Sequence, residues 1–517
     1  MKKIRALLLA TTALTFLSGS AAYAADNTSD AIKALQEQVT ALQKQLTAMQ
    51  AKENAKTEVV APAAAAPAPA AVATTESSAG KKEILPGVTL KFGGYLTADG
   101  VYRSHNQGTG SSSSLNTGIP YDNAAGANQD EFHLTSNATR LSVLAEGNVD
   151  KDMKIAGYLE GDFMGGSTST VASVESNSYT PRLRHAYATV DRNDWGVHFL
   201  AGQTWSLASL YKNGLTPRTE VGPIGIDSVG APGYVYTRAP QVRIVKDFAD
   251  NKAHFGLSLE DPEINLSGLR CTNTATGTCA TFPFTTTSSG AGGLAGNQSA
   301  DYAPDVIAKV AYDTGFGHFE AFGLSRFFQS TYATTGNFDN QYAVGLGGGV
   351  GAYIPVIAKK LDLQANFLGG RGIGRYSAAQ MPDMAFTTAG DIKPITQMVG
   401  LLGVIGHPTP TWDIYTYVGA EKAMRVDSSN TLYGYGSSSL DNSPCYTQNN
   451  SSCFAQTEMV WSITPGFWNT VYKGDYGSLK LGAQYMFTRK DAFSGLNDQS
   501  PHAYDNTVMT SVRYYPF

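Results

Sequence analysis

Hydrophobic positions follow two different periods along the chain. Between residues 32 and 49 they recur three and four apart, which is the heptad pattern of a coiled-coil helix. From residue 86 onward they recur at every second position, as expected for β-strands with one apolar face. In residues 479–487, for example, the odd positions are apolar or aromatic and the even positions are mostly small or polar. The pattern therefore predicts a short N-terminal helix followed by an all-β region.

The breaks between these strands indicate how the strands are arranged. Seven short turns alternate with eight long, Ser-, Gly- and Asn-rich loops, which implies sixteen strands. A half-buried soluble sheet has the same period of two, but tight turns on one side and long loops on the other are typical of outer-membrane barrels. We therefore expect a 16-stranded antiparallel transmembrane β-barrel over residues 86–517. The turns are predicted at residues 150–151, 192–194, 250–252, 314–315, 355–359, 407–411 and 473–475, and the loops at residues 104–130, 164–178, 204–237, 261–300, 329–338, 370–392, 422–455 and 490–503.

The residues before the barrel divide into three segments by composition. Residues 1–24 are predicted to be a secretory signal peptide, because basic residues precede an apolar stretch and a small-x-small cleavage site. The apolar stretch is too short to span a bilayer, which argues against an uncleaved anchor. Residues 25–58 are predicted to form a periplasmic coiled-coil oligomerisation segment, and residues 59–85 an Ala/Pro-rich linker.

The heptad segment carries one apolar stripe, with Gln, Lys and Glu on its other faces. An isolated helix of this length is marginal in water, so self-association is the simplest way to bury the stripe. Three heptads do not specify the number of subunits, although a trimer would match a trimeric barrel. The alternative is a single amphipathic helix on a membrane, but the polar face lacks the Lys/Arg enrichment that favours it. The predicted core positions are Ile32, Leu35, Val39, Leu42, Leu46 and Met49.

Composition narrows the class of protein further. Charged residues make up 16 % of the chain, below the roughly 25 % of soluble domains. Beyond the N-terminus there is no run of 18 apolar residues, so transmembrane helices are not expected. Removal of three signal-peptide cations takes the formal net charge from −5 to −8, and no concentrated basic face points to nucleic acid as a partner. No cofactor or metal site is predicted.

The four cysteines form two local pairs, Cys271 with Cys279 and Cys445 with Cys453. Each pair lies in a predicted external loop, and in an oxidising compartment the natural interpretation is two disulfides that staple these loops. A zinc site would need tighter spacing and a richer set of ligands. We therefore predict two disulfides.

The arginines suggest what the lumen selects. Arg182 and Arg184 are two residues apart and so share one face of a strand, and a charged side chain facing lipid at mid-depth costs about 2–4 kcal/mol. These groups are therefore expected to face the lumen, where guanidinium groups attract anions and can bind carboxylates bidentately. The alternative is that they pair with carboxylates of the barrel wall, such as Asp99, Glu146, Glu160 and Asp162.

The third long loop, residues 204–237, has the length and position to fold into the barrel as the third loop of general porins does. An ordinary external loop is the alternative. Together the loop and the wall predict a constriction that binds small anionic solutes. Its candidate residues are Arg103, Arg140, Arg182, Arg184, Arg243, Trp205, Lys212 and Arg218.

Four short stretches resemble the DcaP family of outer-membrane porins: residues 93–100, 139–143, 182–187 and 201–206. The order of signal, heptad, linker and barrel is also similar, so the resemblance covers nearly the whole chain. It implies an outer-membrane homotrimer of sixteen-stranded barrels with a preference for dicarboxylate anions. It also implies that Arg140, Arg182 and Arg184 line the narrowest point.

Three other functions are alternatives to this one. A sugar-selective porin needs a file of aromatic residues, which Trp205, Tyr211, Tyr234 and Tyr236 partly supply, but that family uses eighteen strands. A general porin with the coiled coil as a periplasmic tether is a further alternative. An outer-membrane hydrolase would need a nucleophile and a base placed together, and the eight scattered histidines show no such spacing. An enzyme is therefore not expected.

The C-terminus ends in Phe517 with an aromatic residue two positions earlier, which resembles the assembly signal of outer-membrane barrels. Pro516 cannot donate to the strand ladder, and Arg513 would share a face with Tyr515 and Phe517. The sequence leaves three explanations for Arg513: the last strand has a bulge, Arg513 lies at a subunit contact, or Arg513 lies at the level of the lipid headgroups.

Overall fold

The computed structural model describes residues 82–85, 87–165, 171–172, 177–227, 229–265, 271–273, 278–279, 284–285, 301–334, 337–387, 391–426 and 434–517. The predicted signal peptide, the coiled-coil segment with its six core positions and residues 59–81 of the linker lie outside the described residues. Among the described residues, no helix is long and apolar enough to cross a membrane.

Sixteen strands in the described part of the chain form one antiparallel barrel, as predicted. Each strand pairs with the next along the chain. The last strand pairs with the first, with Leu96 opposite Tyr514 and Arg103 opposite Thr507, and this closes the barrel. The strands are β1 Val88–Arg103, β2 in two segments Glu131–Thr135 and Arg140–Asn148, β3 Met153–Asp162, β4 Arg182–Arg192, β5 Val197–Trp205, β6 Arg238–Phe248, β7 Ala253–Glu260, β8 Asp305–Asp313, β9 His318–Thr334, β10 Asn337–Ile357, β11 Leu361–Arg371, β12 Thr396–Thr409, β13 Trp412–Ala423, β14 Thr457–Gly474, β15 Gly477–Ala492 and β16 His502–Tyr515.

Short elements lie outside these strands. Lys82–Leu85, inside the segment predicted as linker, pairs with the start of β1, and Phe284–Thr285 pairs with the end of β9. In the described part of the chain three further short antiparallel pairs occur: Val171–Ala172 with Asn177–Ser178, Cys271–Asn273 with Thr278–Cys279 and Met384–Phe386 with Ile392–Pro394. Single 3-10 turns occur at Ala125–Asn128, Gly374–Tyr376, Ser443–Tyr446 and Leu496–Asp498.

The period of two in the sequence becomes the two faces of the wall. In β1, Phe92 and Leu96 point outward and are exposed, whereas Thr97 and Asp99 point inward and are buried. In β15 the same division separates exposed Tyr485 from buried Gln484. In these strands the outer face is therefore the apolar surface that a bilayer requires, and the inner face carries the polar groups.

One predicted loop is wrong. The described residues of 329–338 belong to strands rather than to a long loop, because β9 extends to Thr334 and β10 begins at Asn337, with Thr331 opposite Asn340 and Thr334 opposite Asn337. The Ser and Thr content suggested a loop, but Thr and Tyr also have high β-propensity, and pairing with the neighbouring strand decides between the two.

The cysteine predictions have different outcomes. Cys445 and Cys453 form a disulfide with an S–S distance of 2.03 Å, as predicted. The backbones of Cys271 and Cys279 lie directly opposite each other in a short antiparallel pair. Their side chains lie outside the described part of the structure, so the second disulfide stays a prediction.

The barrel interior is filled mainly by two of the connecting segments. We call residues 206–237, between β5 and β6, the third loop, and residues 372–395, between β11 and β12, the sixth loop. Apolar residues of both, among them Ile226 and Met381, pack against inward-facing residues of the wall such as Tyr415 and Trp468. A second cluster forms around Tyr211 and Tyr376, which are fully buried.

Candidate channel constriction

The third loop crosses the lumen. It starts and ends at β5 and β6, yet its backbone is bonded to side chains of β14–β16 on the opposite side of the closed barrel. The indole Nε1 of Trp468 donates to the carbonyl oxygen of Ile224 at 2.8 Å. The amide of Ile226 donates to Oε1 of Gln484 at 2.7 Å. The loop therefore narrows the barrel from inside, which an external loop would not do.

Two of the candidate arginines hold loops in place. Arg243 is fully buried and donates to the hydroxyl of Tyr211 and to the carbonyl oxygen of Trp205, both at 2.6 Å, so it fastens the beginning of the third loop. Arg103 is also fully buried and donates to Glu131 at 2.6 Å and to the carbonyl oxygen of Thr109 at 3.0 Å. Neither guanidinium meets solvent.

Three other candidates come together on the inner wall of β2–β4. Arg182 binds Asp162 bidentately at 2.9 and 2.7 Å. Arg184 donates to Glu160 at 2.6 Å and to Asp162 at 3.2 Å. Arg140 lies 3.6 Å from the same Glu160 oxygen. The pairing with wall carboxylates that the sequence left open thus exists for Glu160 and Asp162, but two carboxylates are shared among three arginines.

A β-bulge in β4 adjusts this cluster. Glu160 is opposite His185 and Gly161 is opposite Leu183, so Arg184 has no partner in the ladder. The extra residue lets Arg184 and His185 both lie buried on the inner side. His185 is held by a hydrogen bond between its Nδ1 and Thr204 Oγ1 at 2.9 Å.

Sequence reasoning missed Arg238 at the start of β6. Its guanidinium carbon lies 4.7 Å from the ring centre of Trp205 and 5.8 Å from that of Tyr236. Among the described residues, no carboxylate lies within ion-pair distance of it. The position is at the end of a long loop, and no spacing in the sequence connects it to β4. We call Arg140, Arg182, Arg184 and Arg238 with Glu160 and Asp162 the arginine cluster; it has an excess of two positive charges.

The remaining candidates divide between two places. Trp205 lies under the arginine cluster, with Arg184 6.0 Å from its ring centre. Arg218 of the third loop is exposed and lies 5.7 Å from the ring centre of Tyr158 on β3, which faces the same space. Lys212 instead lies 5.2 Å from the ring centre of Tyr353 on β10, and its partial burial lowers its pKa.

Arg513 is a further cation on the inner wall, which answers the question that the C-terminal sequence left open. Its guanidinium carbon lies 4.7 and 4.4 Å from the ring centres of Tyr95 and Trp468, and it donates to the carbonyl oxygen of Ile226 at 3.2 Å. The side chains on the two sides of Pro516 lie on different faces of the wall. Tyr515 packs against inward-facing Tyr95, whereas the ring centre of Phe517 lies 6.2 Å from that of outward-facing Phe92. No bulge at Arg513 is needed.

The remaining passage follows β1–β4. On this wall the inward-facing side chains of Arg140, Arg182 and Lys154 keep 28 %, 30 % and 34 % of their surface exposed. Where the third and sixth loops cover the wall, inward-facing charges such as Arg326 and Glu421 are fully buried beneath them. The open space is therefore eccentric and lies beside the arginine cluster.

A second cationic group lies on the same wall, nearer the short turns. Lys91 and Lys154 each lie 2.5 Å from the single carboxylate of Glu146. Glu146 is six residues from Arg140 along β2, a separation of about 20 Å along the strand. In the described residues, no group of three or more His, Cys, Asp or Glu side chains is arranged to hold a metal ion.

A closed sixteen-stranded barrel with its third loop inside the lumen is a porin fold. Among solved structures, the outer membrane channel DcaP of Acinetobacter baumannii has this fold: it is 20 % identical, with a TM-score of 0.55 over 84 % of this chain and 99 % of that chain. The structural likeness that the sequence motifs implied is thereby confirmed.

Two other structures have lower similarity. An anion-selective porin from Comamonas acidovorans is 14 % identical, with a TM-score of 0.43 over 83 % of this chain and 99 % of that chain. OmpT, an outer membrane protein of Vibrio cholerae, is 11 % identical, with a TM-score of 0.44 over 83 % of this chain and 97 % of that chain. No family model matches the sequence, and the comparison with curated proteins gives no significant match.

Proposed function

We propose that the protein is an outer-membrane diffusion porin for small hydrophilic solutes that prefers anions, dicarboxylates in particular. The observation that carries this proposal is the arginine cluster beside the open passage, in which three guanidinium groups share two carboxylates and the fourth, that of Arg238, has no carboxylate partner in the described residues. Inside a narrow passage the local field, rather than the net charge of the chain, controls which ions enter.

The excess of two positive charges suits a solute with two carboxylates. Arg140, Arg182 and Arg238 are the part-exposed members of the cluster, and Arg140 and Arg182 each have donors not used by Glu160 or Asp162. A passing dicarboxylate can accept hydrogen bonds from both while the wall carboxylates retain theirs. Because the cluster is already half neutralised, binding stays weak enough for the solute to leave, as conduction requires.

Lys91 and Lys154 extend this path. These two lysines share the single carboxylate of Glu146, so the group of three has a net charge of +1. It lies between the arginine cluster and the short-turn end of the barrel. An anion that leaves the cluster meets this group next, so the attraction does not end at the narrowest point. Arg218 and Arg513 add positive charge on the two sides of the passage.

The setting of the channel is part of the proposal. The apolar outer face suits contact with outer-membrane lipid. The long loops would face the exterior, residues 25–58 would form a coiled coil in the periplasm, and the barrels would assemble as a homotrimer. A sugar-selective or general porin is the second candidate. Trp205, Tyr234 and Tyr236 favour it only weakly, because their rings pack on one another at 5.4 to 6.4 Å rather than forming a file.

The test is the reversal potential of the purified protein in a planar bilayer under a salt gradient, followed by addition of a dicarboxylate. We expect anion selectivity, three equal conductance steps and transient block. Arg182→Ala or Arg184→Ala should weaken the block about tenfold, which corresponds to about 1.4 kcal/mol.

Arg489→Ala is the matched control, because Arg489 pairs with Asp491 near the far end of β15 and has no contact with the arginine cluster. Cation selectivity, or block by oligosaccharides alone, would contradict the proposal.

A further inference from the structure

A line of alternating carboxylates and imidazoles follows the inner wall from β4 to β9, close to the short turns. Each imidazole lies between two carboxylates, and each of the central carboxylates lies between two imidazoles. The six contacts along the line measure 2.7, 3.0, 2.6, 3.0, 2.6 and 3.2 Å. We call this line the histidine belt; its members are, in order, Asp191, His198, Asp247, His254, Asp313, His318 and Glu320.

The geometry specifies the protonation of the imidazoles. In His198, His254 and His318 both ring nitrogens lie within hydrogen-bond distance of a carboxylate oxygen. A neutral imidazole can donate from only one nitrogen, and its other lone pair would then face an anionic oxygen. With all four carboxylates ionised, both nitrogens must carry protons, so each ring is an imidazolium.

The belt is bonded directly to the beginning of the third loop. The amide of Gly214 donates to Oδ2 of Asp313 at 2.9 Å, and the amide of Tyr211 donates to Oε2 of Glu320 at 3.1 Å. Lys309 on β8 links the two, since its Nζ donates to Glu320 at 2.7 Å and to the carbonyl oxygen of Ser209 at 2.6 Å. Two of the four belt carboxylates thus hold backbone amides of the loop.

We propose that the histidine belt positions the third loop, and that loss of protons from its imidazoles releases the loop and makes the constriction unsteady. His198, His254 and His318 are then positioning residues that act through Asp313 and Glu320. This inference rests on the proposed function only in taking the third loop as the constriction of a conducting pore; it does not depend on which solute passes.

The balance of charge explains the direction of the effect. Three imidazolium groups and Lys309 match four carboxylates, so the belt is neutral when fully protonated. His254, at its centre, faces Asp247 from β6, Asp313 from β8 and the Gly214 segment of the third loop. Deprotonation leaves neighbouring carboxylates without their counter-charges, and their repulsion displaces the two that hold the loop.

Other charged or titratable groups near the belt do not reverse this direction. Lys246 on β6 donates to the carbonyl oxygen of Trp195 in the turn after β4. Tyr353 on β10 lies opposite His318 and donates to Asp362 at 2.6 Å. Arg243 is bonded to Tyr211. Rising pH adds no positive charge at any of these sites, so the belt becomes more negative as its imidazoles lose protons.

The test is single-channel recording in planar bilayers as the pH is raised stepwise from 6 on both sides. For the wild-type protein we expect steady current near neutral pH and a several-fold rise in partial closures at alkaline pH. His254→Gln should show the frequent closures already at pH 6 and lose the pH dependence. His318→Gln, which removes the next imidazole of the belt, should behave in the same way. If one of the two variants does not assemble, the other still tests the proposal.

His407→Gln is the matched control. Its imidazole also lies between two carboxylates, Asp362 at 3.3 Å and Asp413 at 2.7 Å, but these are on β11 and β13 and hold no backbone amide of the third loop in the described structure. It should retain the wild-type profile. A wild-type profile without pH dependence, or belt variants that retain the wild-type profile, would overturn the proposal. The reversal potential of the same channels measures their ion selectivity. A failure of the proposed anion preference can therefore be distinguished from a failure of the proposal for the histidine belt.

Discussion

At the scale of single residues, the partners of an arginine decide its role. Arg243 and Arg182 both lie on polar faces of their strands in the sequence. In the barrel Arg243 is fully buried and holds the third loop, whereas Arg182 keeps 30 % of its side chain exposed beside the passage. Buried groups must use their hydrogen-bond donors within the protein, so only the exposed ones can donate hydrogen bonds to a solute.

Arg238 provides a prediction at this scale. Arg238→Gln should lower the anion-to-cation permeability ratio by about twofold to fivefold, because it removes one of the two excess charges of the arginine cluster. The barrel should lose little stability, since the contact with Trp205 is worth about 0.5–2 kcal/mol. The ratio is obtained from the reversal potential in a salt gradient.

Glu160→Gln should have the opposite effect. It removes one negative charge beside Arg140 and Arg184, so the anion-to-cation permeability ratio should rise. If both variants shift the ratio in one direction, the electrostatic account of the cluster is wrong.

At the scale of elements, strands have a clearer signal in the sequence than the boundaries between strands and loops. The alternation in β1 and β15 stands out because one face meets lipid and the other the interior. The ends of β9 and β10 that fall within residues 329–338 were predicted as a loop, since their polar residues resemble those of a loop until a paired neighbour is known. The bulge that turns Arg184 and His185 inward has no local signal either, because a bulge depends on the register of two strands.

The disulfide of the seventh loop, residues 424–456, gives a prediction for an element. Replacing Cys445 and Cys453 by Ser should lower the free energy of local unfolding of this loop by about 2–3 kcal/mol. The disulfide restricts the conformations of the unfolded loop, and without it the unfolded loop gains entropy. Protease should then cleave within the loop, where Tyr446 is already exposed. Mass spectrometry of the fragments locates the cut.

Conductance and selectivity should not change in this variant, because the seventh loop makes no contact with the arginine cluster within the described residues. The wild-type protein treated with reductant is the control and should be cleaved at the same place. Equal resistance to protease with and without the bond would contradict the prediction.

At the scale of the whole molecule, closure of the barrel and the crossing of the third loop create the passage together. The third and sixth loops cover most of the interior, and the space that remains lies along β1–β4. The charge that governs transport is therefore that of one wall, although the whole chain carries a formal charge of −5. This is why an acidic protein can be proposed as an anion channel.

The N-terminal segments give a prediction at this scale. Deleting residues 25–81, with Lys82–Leu85 kept because it pairs with β1, should leave the conductance of each barrel unchanged. If the predicted coiled coil joins subunits or envelope layers, the deletion should lower the stability of the oligomer or the resistance of cells to detergent. Native gel electrophoresis and a detergent-sensitivity assay measure these two effects.

A variant with Leu35 and Leu42 replaced by Ser separates loss of the coiled coil from loss of the linker. Unchanged oligomer stability and unchanged detergent resistance in both variants would contradict a role for the heptad. Loss of conductance after the deletion would show that these residues serve the barrel itself.

The sequence by itself determined the strand number, the closed antiparallel barrel, the two faces of the wall and the local disulfide of Cys445. Each depends on neighbours in the chain: a period of two, the spacing of turns and a pair of cysteines eight residues apart. Only the tertiary structure decided that the third loop binds Trp468 and Gln484, that Arg238 joins Arg184, and that three histidines on different strands form one belt. These contacts join residues that are distant along the chain, and register, barrel closure and loop crossing set their distances together, so no local pattern contains them.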